Sequence, residues 1–392
     1  MQSFNLSFSD TKAAFRHKSD YELKKSKFIF SVFKYALLVK YGPGLATLSL
    51  KIGLPIKGFI KKTFFGQFCG GETIDDCDLA VKSLWESRVG AILDYSVEGH
   101  ETEENFDANV EEIKKTILKA NHKPEYPFCV FKPTGVGRFA LLEKVDAGTK
   151  LEMEELEEFY RIKKRMESIC QTAYDNDVRL FIDAEESWIQ NSVDDIVNEM
   201  MAKYNTQKAI VFNTIQLYRK GRVDYISKCI EEANGYYLGF KLVRGAYMEK
   251  EAERALQLNY NNPIQDDKAS CDKDYNSALK LCFDHKDKVS ICAGTHNEES
   301  SFLLAKWMHE EGLEKNDSRF WFAQLYGMSD NISFNLAANG YNVAKYLPYG
   351  PVISVMPYLG RRAKENSSMQ GQVGRELRLI VEEIKRRKQN KN

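Results

Sequence analysis

The sequence predicts an α/β fold, a (β/α)8 TIM-like barrel preceded by a helical N-terminal segment, on three observations. From about residue 88 onward, eight short β-branched or aromatic runs recur; longer helical patterns separate them; and polar residues follow every run. The runs are Val89–Leu93, Phe128–Phe131, Val178–Ile182, Ala209–Phe212, Tyr237–Val243, Val289–Ala293, Phe320–Ala323 and Asn342–Tyr346. Apolar at nearly every position, they read as strands covered on both faces. Helical segments such as Glu154–Tyr174 supply the crossovers that a parallel sheet requires. Eight strand-then-helix units in roughly 300 residues is the arithmetic of a closed barrel, with a doubly wound open sheet as the competing arrangement.

A chain of 392 residues, 43% of them apolar, accommodates one large domain and a smaller appended segment. The expected division is a basic helical segment over 1–65, the barrel over 66–380 and a basic polar tail over 381–392. Residues 1–65 hold twelve Lys or Arg against three acids, Asp10, Asp20 and Glu22. Formal net charge is zero, so the chain as a whole offers no electrostatic case for nucleic acid. Eight cysteines without a C-x-x-C pair read as reduced and structural. Met1 to Asp10 lacks the basic-then-apolar pattern of a signal segment, and no stretch reaches the roughly 18 apolar residues of a membrane span. The expected setting is cytoplasmic, with an organellar origin after removal of a targeting segment as the alternative.

Active sites of (β/α)8 barrels lie at the C-terminal ends of the strands. The runs lead into Asp94, Lys132, Asp183, Asn213 with Gln216, Arg244 with Tyr247, Thr295 with His296, Gln324, and Tyr346. Each alone reads equally well as a cap or a loop residue. After the last run comes Tyr358-Leu-Gly-Arg361-Arg362-Ala-Lys-Glu365-Asn366, whose helical spacing puts Tyr358, Arg361, Arg362 and Glu365 on one face. Two adjacent guanidinium forks suit a carboxylate; the alternative is a solvated Arg-Arg pair. At the fifth run, Lys241-Leu-Val-Arg244-Gly245 combines two cations with a glycine that admits close backbone approach, a pattern for phosphate or an electron-rich ring. Asp183-Ala-Glu185-Glu186 raises a divalent metal, rejected because nothing else shows ligand spacing. Gly135-Val-Gly137-Arg-Phe-Ala140 fits a dinucleotide fingerprint, but Pro133 and Thr134 separate it from the second run, and it is not read as a nucleotide site. His296 is a candidate base or cofactor contact on position alone.

Taken together, these segments resemble the proline dehydrogenase family. The resemblance spans about residues 64–370 and rests on Phe64-Phe-Gly-Gln-Phe-Cys-Gly-Gly-Glu72, Leu93-Asp-Tyr-Ser-Val-Glu98, Asp183-Ala-Glu-Glu186, Lys241-Leu-Val-Arg-Gly-Ala-Tyr247, Thr295-His-Asn297 and the Tyr-x-x-Arg-Arg-x-x-Glu-Asn segment at 358–366. It implies a barrel whose final helix covers a non-covalently bound FAD, and oxidation of L-proline to 1-pyrroline-5-carboxylate. Electrons would pass to a quinone or another acceptor. It further implies that Arg361 and Arg362 clamp the carboxylate while Lys132, Leu325, Tyr346 and Tyr358 line the substrate pocket. Asp183 and Lys241 would flank the reacting centre, and Glu98 would gate the pocket. Ala184, Ile215, Gln216, Lys241, Arg244, Gly245, Ala246, Tyr247, Thr295 and His296 would hold the flavin.

The Lys241/Arg244 pairing resembles the mitochondrial branch, whereas many bacterial members carry Arg and Lys in the reverse order. The chain leaves no room after the motif helix for a second catalytic domain, so a monofunctional enzyme is expected. Hydroxyproline dehydrogenase is the near alternative. A flavin barrel of the methylenetetrahydrofolate reductase kind leaves the arginine pair unexplained, and a catalytically silent barrel docking on membranes predicts no flavin. Apolar stretches Phe28–Phe33, Ala36–Val39 and Leu45–Leu50, alternating with lysines, suit either peripheral membrane contact through the N-terminal segment or helices that pack against the barrel with their lysines in solvent.

Overall fold

The computed structural model describes residues 4–95, 101–368 and 372–390. Its strands are β1 (Val89–Tyr95), β2 (Phe128–Phe131), β3 (Arg179–Ile182), β4 (Val211–Gln216), β5 (Leu238–Val243), β6 (Val289–Gly294), β7 (Phe320–Leu325) and β8 (Val343–Tyr349). They form one sheet in the order β1-β8-β7-β6-β5-β4-β3-β2, the order of a barrel opened between its first two strands. The fold is the expected (β/α)8 barrel. Boundaries moved where polar residues stay in the ladder. β4 runs to Gln216 because Asn213 pairs with Phe240 and Gln216 with Val243 through backbone alone. A strand read only to its last apolar residue therefore ends too early.

By its internal contacts the chain divides into two units, one comprising Met1–Glu98 and Ala323–Asn392, the other Gly99–Phe322. In the first unit, β1 and β8 pair in parallel from Val89↔Val343 to Tyr95↔Tyr349. Helix Asp20–Val32 begins at a capping box, in which Ser19 and Glu22 satisfy each other's backbone N–H groups. Its inward residues Leu23, Ile29 and Phe30 share one apolar core with Phe65 and Phe68 and with Met356, Tyr358, Leu359, Leu377 and Ile380 of the C-terminal helices. Residues 381–389 continue the last helix, Gln372–Gln389, from which Arg387 donates to the carbonyls of Phe15 and Lys18, each at 2.8 Å.

In the second unit β2 to β6 pair in sequence, and their side chains alternate between the barrel interior and the surrounding helices. Phe128 stacks on Phe181 with centroids 4.2 Å apart, and Phe212 meets both edge-on. Burying each ring contributes roughly 1.5–3 kcal/mol. The rings also dictate Gly239, where a Cβ would stand 2.6 Å from the Phe212 ring. Helices Met153–Asp175 and Ser187–Tyr204 are the crossovers that lead into β3 and β4.

Candidate active site

Within Gly99–Phe322, the strand ends bring the expected polar residues together. Asp183 follows β3, and its Oδ1 is in ion-paired contact with Nζ of Lys241 on β5. Thr214, the residue of β4 in register with Lys241, places its Oγ1 3.5 Å from the same carboxylate oxygen. Lys241 is 4% exposed, so the ion pair is buried. Alternation along β4 puts Thr214 and Gln216 on the face of this pair and Ile215 on the other, fully buried. Any contact of Ile215 with a cofactor runs through its backbone. Gln216 donates from Nε2 to the carbonyl of Glu185 at 2.6 Å.

Arg244, just past β5, is fully engaged. It donates to Asp272 (2.7 Å), to Thr295 Oγ1 (2.7 Å) and to Ser300 Oγ (3.0 Å), and its guanidinium lies 4.3 Å from the Tyr275 ring centroid. Asp272 and Ser300, which lie on helices Lys268–Asp284 and Glu298–Glu310, went unread in the sequence, where they look like ordinary surface-helix residues. Gly245 has φ +130, and a Cβ there would stand 2.4 Å from the Tyr218 ring, so only glycine fits the turn. Ala246 is exposed, while Ala184, Tyr247 and His296 are half-buried and Thr295 is buried. A bare backbone turn beside cations on one strand end is chemistry that suits an anionic, ring-bearing cofactor.

Within the first unit, helix Met356–Ser368 carries the double-arginine motif. Tyr358 and Arg362 are buried and Arg361 is half-buried. The Arg362 Nη2 contacts Glu365, yet its Nε has no partner among the described residues, and neither has the Tyr358 hydroxyl. Burial, reinforced by Asp94 at the end of β1, pushes that hydroxyl well above the usual tyrosine range. Burial likewise raises Glu365 against the pull of Arg362 and Arg361. Tyr346 on β8 is nearly buried and Leu325 at the end of β7 is partly buried. Lys132 follows β2 and is half-buried. Glu98 lies outside the described residues.

A barrel whose charged and polar residues gather where its strands end defines an enzyme of the (β/α)8 class. The model of the proline dehydrogenase family matches residues 77–375. Similar proteins include proline dehydrogenase 1, mitochondrial, of Dictyostelium discoideum, 30% identical over 96% of this chain and 74% of its own length. The human protein of the same name is 39% identical over 60% of this chain and 40% of its own. The carbapenem antibiotics biosynthesis protein CarD of Pectobacterium carotovorum subsp. carotovorum is 33% identical over 82% and 83%. Among solved structures, proline utilization A (PutA) from Bdellovibrio bacteriovorus superposes with a TM-score of 0.70 at 19% identity, covering 89% of this chain but 38% of that one, a likeness of fold. The chain belongs to the proline dehydrogenase family. Its activity is that of an oxidoreductase acting on proline, the first step of proline catabolism.

Proposed function

We propose that the chain oxidises L-proline to 1-pyrroline-5-carboxylate using a non-covalently held FAD, with a quinone as electron acceptor. The observation that carries the substrate half is the pair of buried polar atoms without a protein partner, Arg362 Nε and the Tyr358 hydroxyl, on one helix face with Arg361. A buried donor left unmade costs about 1–3 kcal/mol, more when charged, and a ligand carboxylate removes that cost. Arg361 and Arg362 hold the carboxylate, and Lys132, Leu325, Tyr346 and Tyr358 shape the space for the ring.

Asp183 and Lys241 flank the carbon next to the ring nitrogen, and their ion pair fixes the charge there as the C–H bond is broken. The flavin supplies the hydride acceptor. Gln216, Arg244, Gly245, Ala246, Tyr247, Thr295, His296, Ala184 and the backbone of Ile215 form its cradle. The protein's contribution is orientation and field.

The experiment is direct. Purified protein should be yellow, proline should bleach its oxidised-flavin band, and acid precipitation should release the colour into the supernatant. A colourless protein, or colour retained in the pellet, overturns the cofactor assignment. Glu98→Ala should speed proline release; identical dissociation rates remove the gate.

A membrane setting for the acceptor is supported by helix Ala36–Lys51. Its Val39, Ala46 and Leu50 pack inward, while Leu37, Leu38, Tyr41, Leu45 and Leu48, with Ile52 just beyond, are exposed. From Lys24 to Gly71 the chain holds nine lysines and no acidic residue, and two of the nine, Lys57 and Lys61, pair with Glu72. A two-fold contact between copies would set this cationic surface against itself, whereas an anionic bilayer supplies the opposite charge. No helix among the described residues is long and apolar enough to cross a membrane, and the contact we propose is a peripheral one. The compartment is the cytoplasm with its inner membrane or, in a eukaryotic cell, the mitochondrion.

A further inference from the structure

Glu185 lies two residues beyond Asp183 and is 6% exposed. Its carboxylate accepts both donors of Thr134, the backbone N–H at 3.0 Å and Oγ1 at 2.7 Å. Thr134 belongs to the turn Pro133–Gly135 that follows Lys132 at the end of β2. The remaining polar groups of Glu185 are also engaged. Its N–H donates to Gln190 Oε1 at 3.1 Å, and Gln190 donates onward to Asp194 at 2.9 Å. Its carbonyl accepts from Gln216 of β4 at 2.6 Å. One residue thus ties together the ends of β2, β3 and β4.

We propose that Glu185 is a positioning residue: as a carboxylate it locks the Lys132–Gly135 turn, and with it the Lys132 ammonium, to the β3 loop that carries Asp183 and to the flavin-side Gln216. The inference rests on Lys132 being a substrate contact and Gln216 a cofactor contact. Two features distinguish it from packing. An apolar residue would fill the space, but it would leave both Thr134 donors without an acceptor. And the charge is held there against its surroundings: burial pushes the Glu185 carboxyl up to about 6, while Lys132 and the Thr134 bonds pull it down and Glu186 pushes it further up.

A group whose folded pKa is raised contributes stability in its protonated form, and that stability is lost as pH rises through about 6. Above that pH the folded protein therefore carries a charge that its stability alone does not favour. Glu186 is itself paired with Lys250, at 2.7 Å, and Lys132 is a cation that acts on Glu185.

The test uses the holoenzyme and Glu185→Gln, which keeps the shape because the Thr134 hydroxyl can turn to accept from the amide. The proline KM should rise several-fold with flavin content unchanged, and an acid limb of kcat/KM near pH 6 should disappear. At pH 8 the variant should melt no lower than the parent, which a merely structural role does not allow. Thr134→Val, lacking one donor to the ionised form, should move the acid limb to higher pH.

Lys132→Met separates this idea from the substrate assignment. If it raises KM and Glu185→Gln does not, the positioning role is overturned. If neither moves KM, both fall. A raised KM in Glu185→Gln alone upholds the positioning role and removes Lys132 as the contact. A Glu185→Gln protein that melts far below the parent with unchanged KM and acid limb reduces Glu185 to a structural brace.

Discussion

Lys241 on β5 spans to Asp183 beyond β3 and forms an ion pair with its ammonium 5.1 Å from the Phe181 ring centroid, inside the strand-end cluster of the barrel. Asp183→Asn keeps the volume and removes the carboxylate half of a buried ion pair, a loss of about 3 kcal/mol. The expected result is a lower melting temperature together with a fall in kcat/KM on the order of a hundredfold. Adding Lys241→Met should restore most of the stability and none of the activity. A double variant that melts as low as Asp183→Asn alone would show that the two residues are not energetically coupled.

For the arginine pair, changing Arg361 or Arg362 to Met should raise the proline KM by well over about tenfold, because each fork that a carboxylate loses leaves a charged donor unpaired. Flavin absorbance per mole of protein should stay the same. Steady-state kinetics with an unaltered KM in either variant would remove that arginine from the site.

Selectivity should rest on Tyr346. Tyr346 is 8% exposed on β8, and in the proposed pocket it stands near the far edge of the pyrrolidine, where an added ring hydroxyl would meet it. The ratio of kcat/KM for proline over 4-hydroxyproline should exceed about tenfold in the parent and shrink in Tyr346→Ser. Equal efficiency for both substrates in the parent protein overturns the preference.

Acid stability should depend on His17. Its ring stacks on Phe334 with centroids 3.8 Å apart, near the buried Asp330 that also pairs with Lys345 and Lys18. Burial lowers the imidazole from 6.5 to about 3, with Lys18 and Lys345 adding to the shift and Asp330 opposing it. The unfolded chain therefore binds the extra proton between those values, and stability must fall as pH drops through that window. By pH 4.5 the loss amounts to about 2–3 kcal/mol. His17→Phe retains the stack and cannot take up the proton, so its melting temperature should fall less between pH 6.5 and 4.5. Parallel melting curves would contradict the assignment.

Vesicle flotation tests the exposed face of helix Ala36–Lys51. Removing residues 1–60 would strip part of the core, since Leu23, Ile29 and Phe30 pack within it, so the triple change Leu38→Gln, Leu45→Gln, Leu48→Gln is the sharper probe. The parent should float with anionic vesicles at low salt and lose that binding in neutral vesicles, in high salt and in the triple variant. A parent protein that stays in solution with anionic vesicles ends the proposal.

Much of the barrel is legible in the chain because its signals are local. Each strand is a short apolar run, each crossover a helical pattern, and turn chemistry separates them. β2 occupies the expected residues, whereas β4 and β8 extend beyond theirs through polar or proline-containing ends that hydrogen bond through backbone. The candidate site was legible only in part. The motif residues stand out by type and spacing, but nothing local ties Asp272 and Ser300 to Arg244, or Thr134 to Glu185, across separations of 28, 56 and 51 residues.

The carboxylate triplet beginning at Asp183 shows the division most clearly. Its composition alone invited a metal, whereas in the fold the three acids face three different partners: Lys241, Thr134 and Lys250. Sequence by itself determined the strand count, the family and the residue types brought to the strand ends, because periodicity and motif are properties of neighbours along the chain. Tertiary structure decided which charge meets which, which face of Ala36–Lys51 stays exposed and which side of β4 a side chain takes. Burial and pairing are set by residues distant in sequence, and the energies of charged groups depend on both.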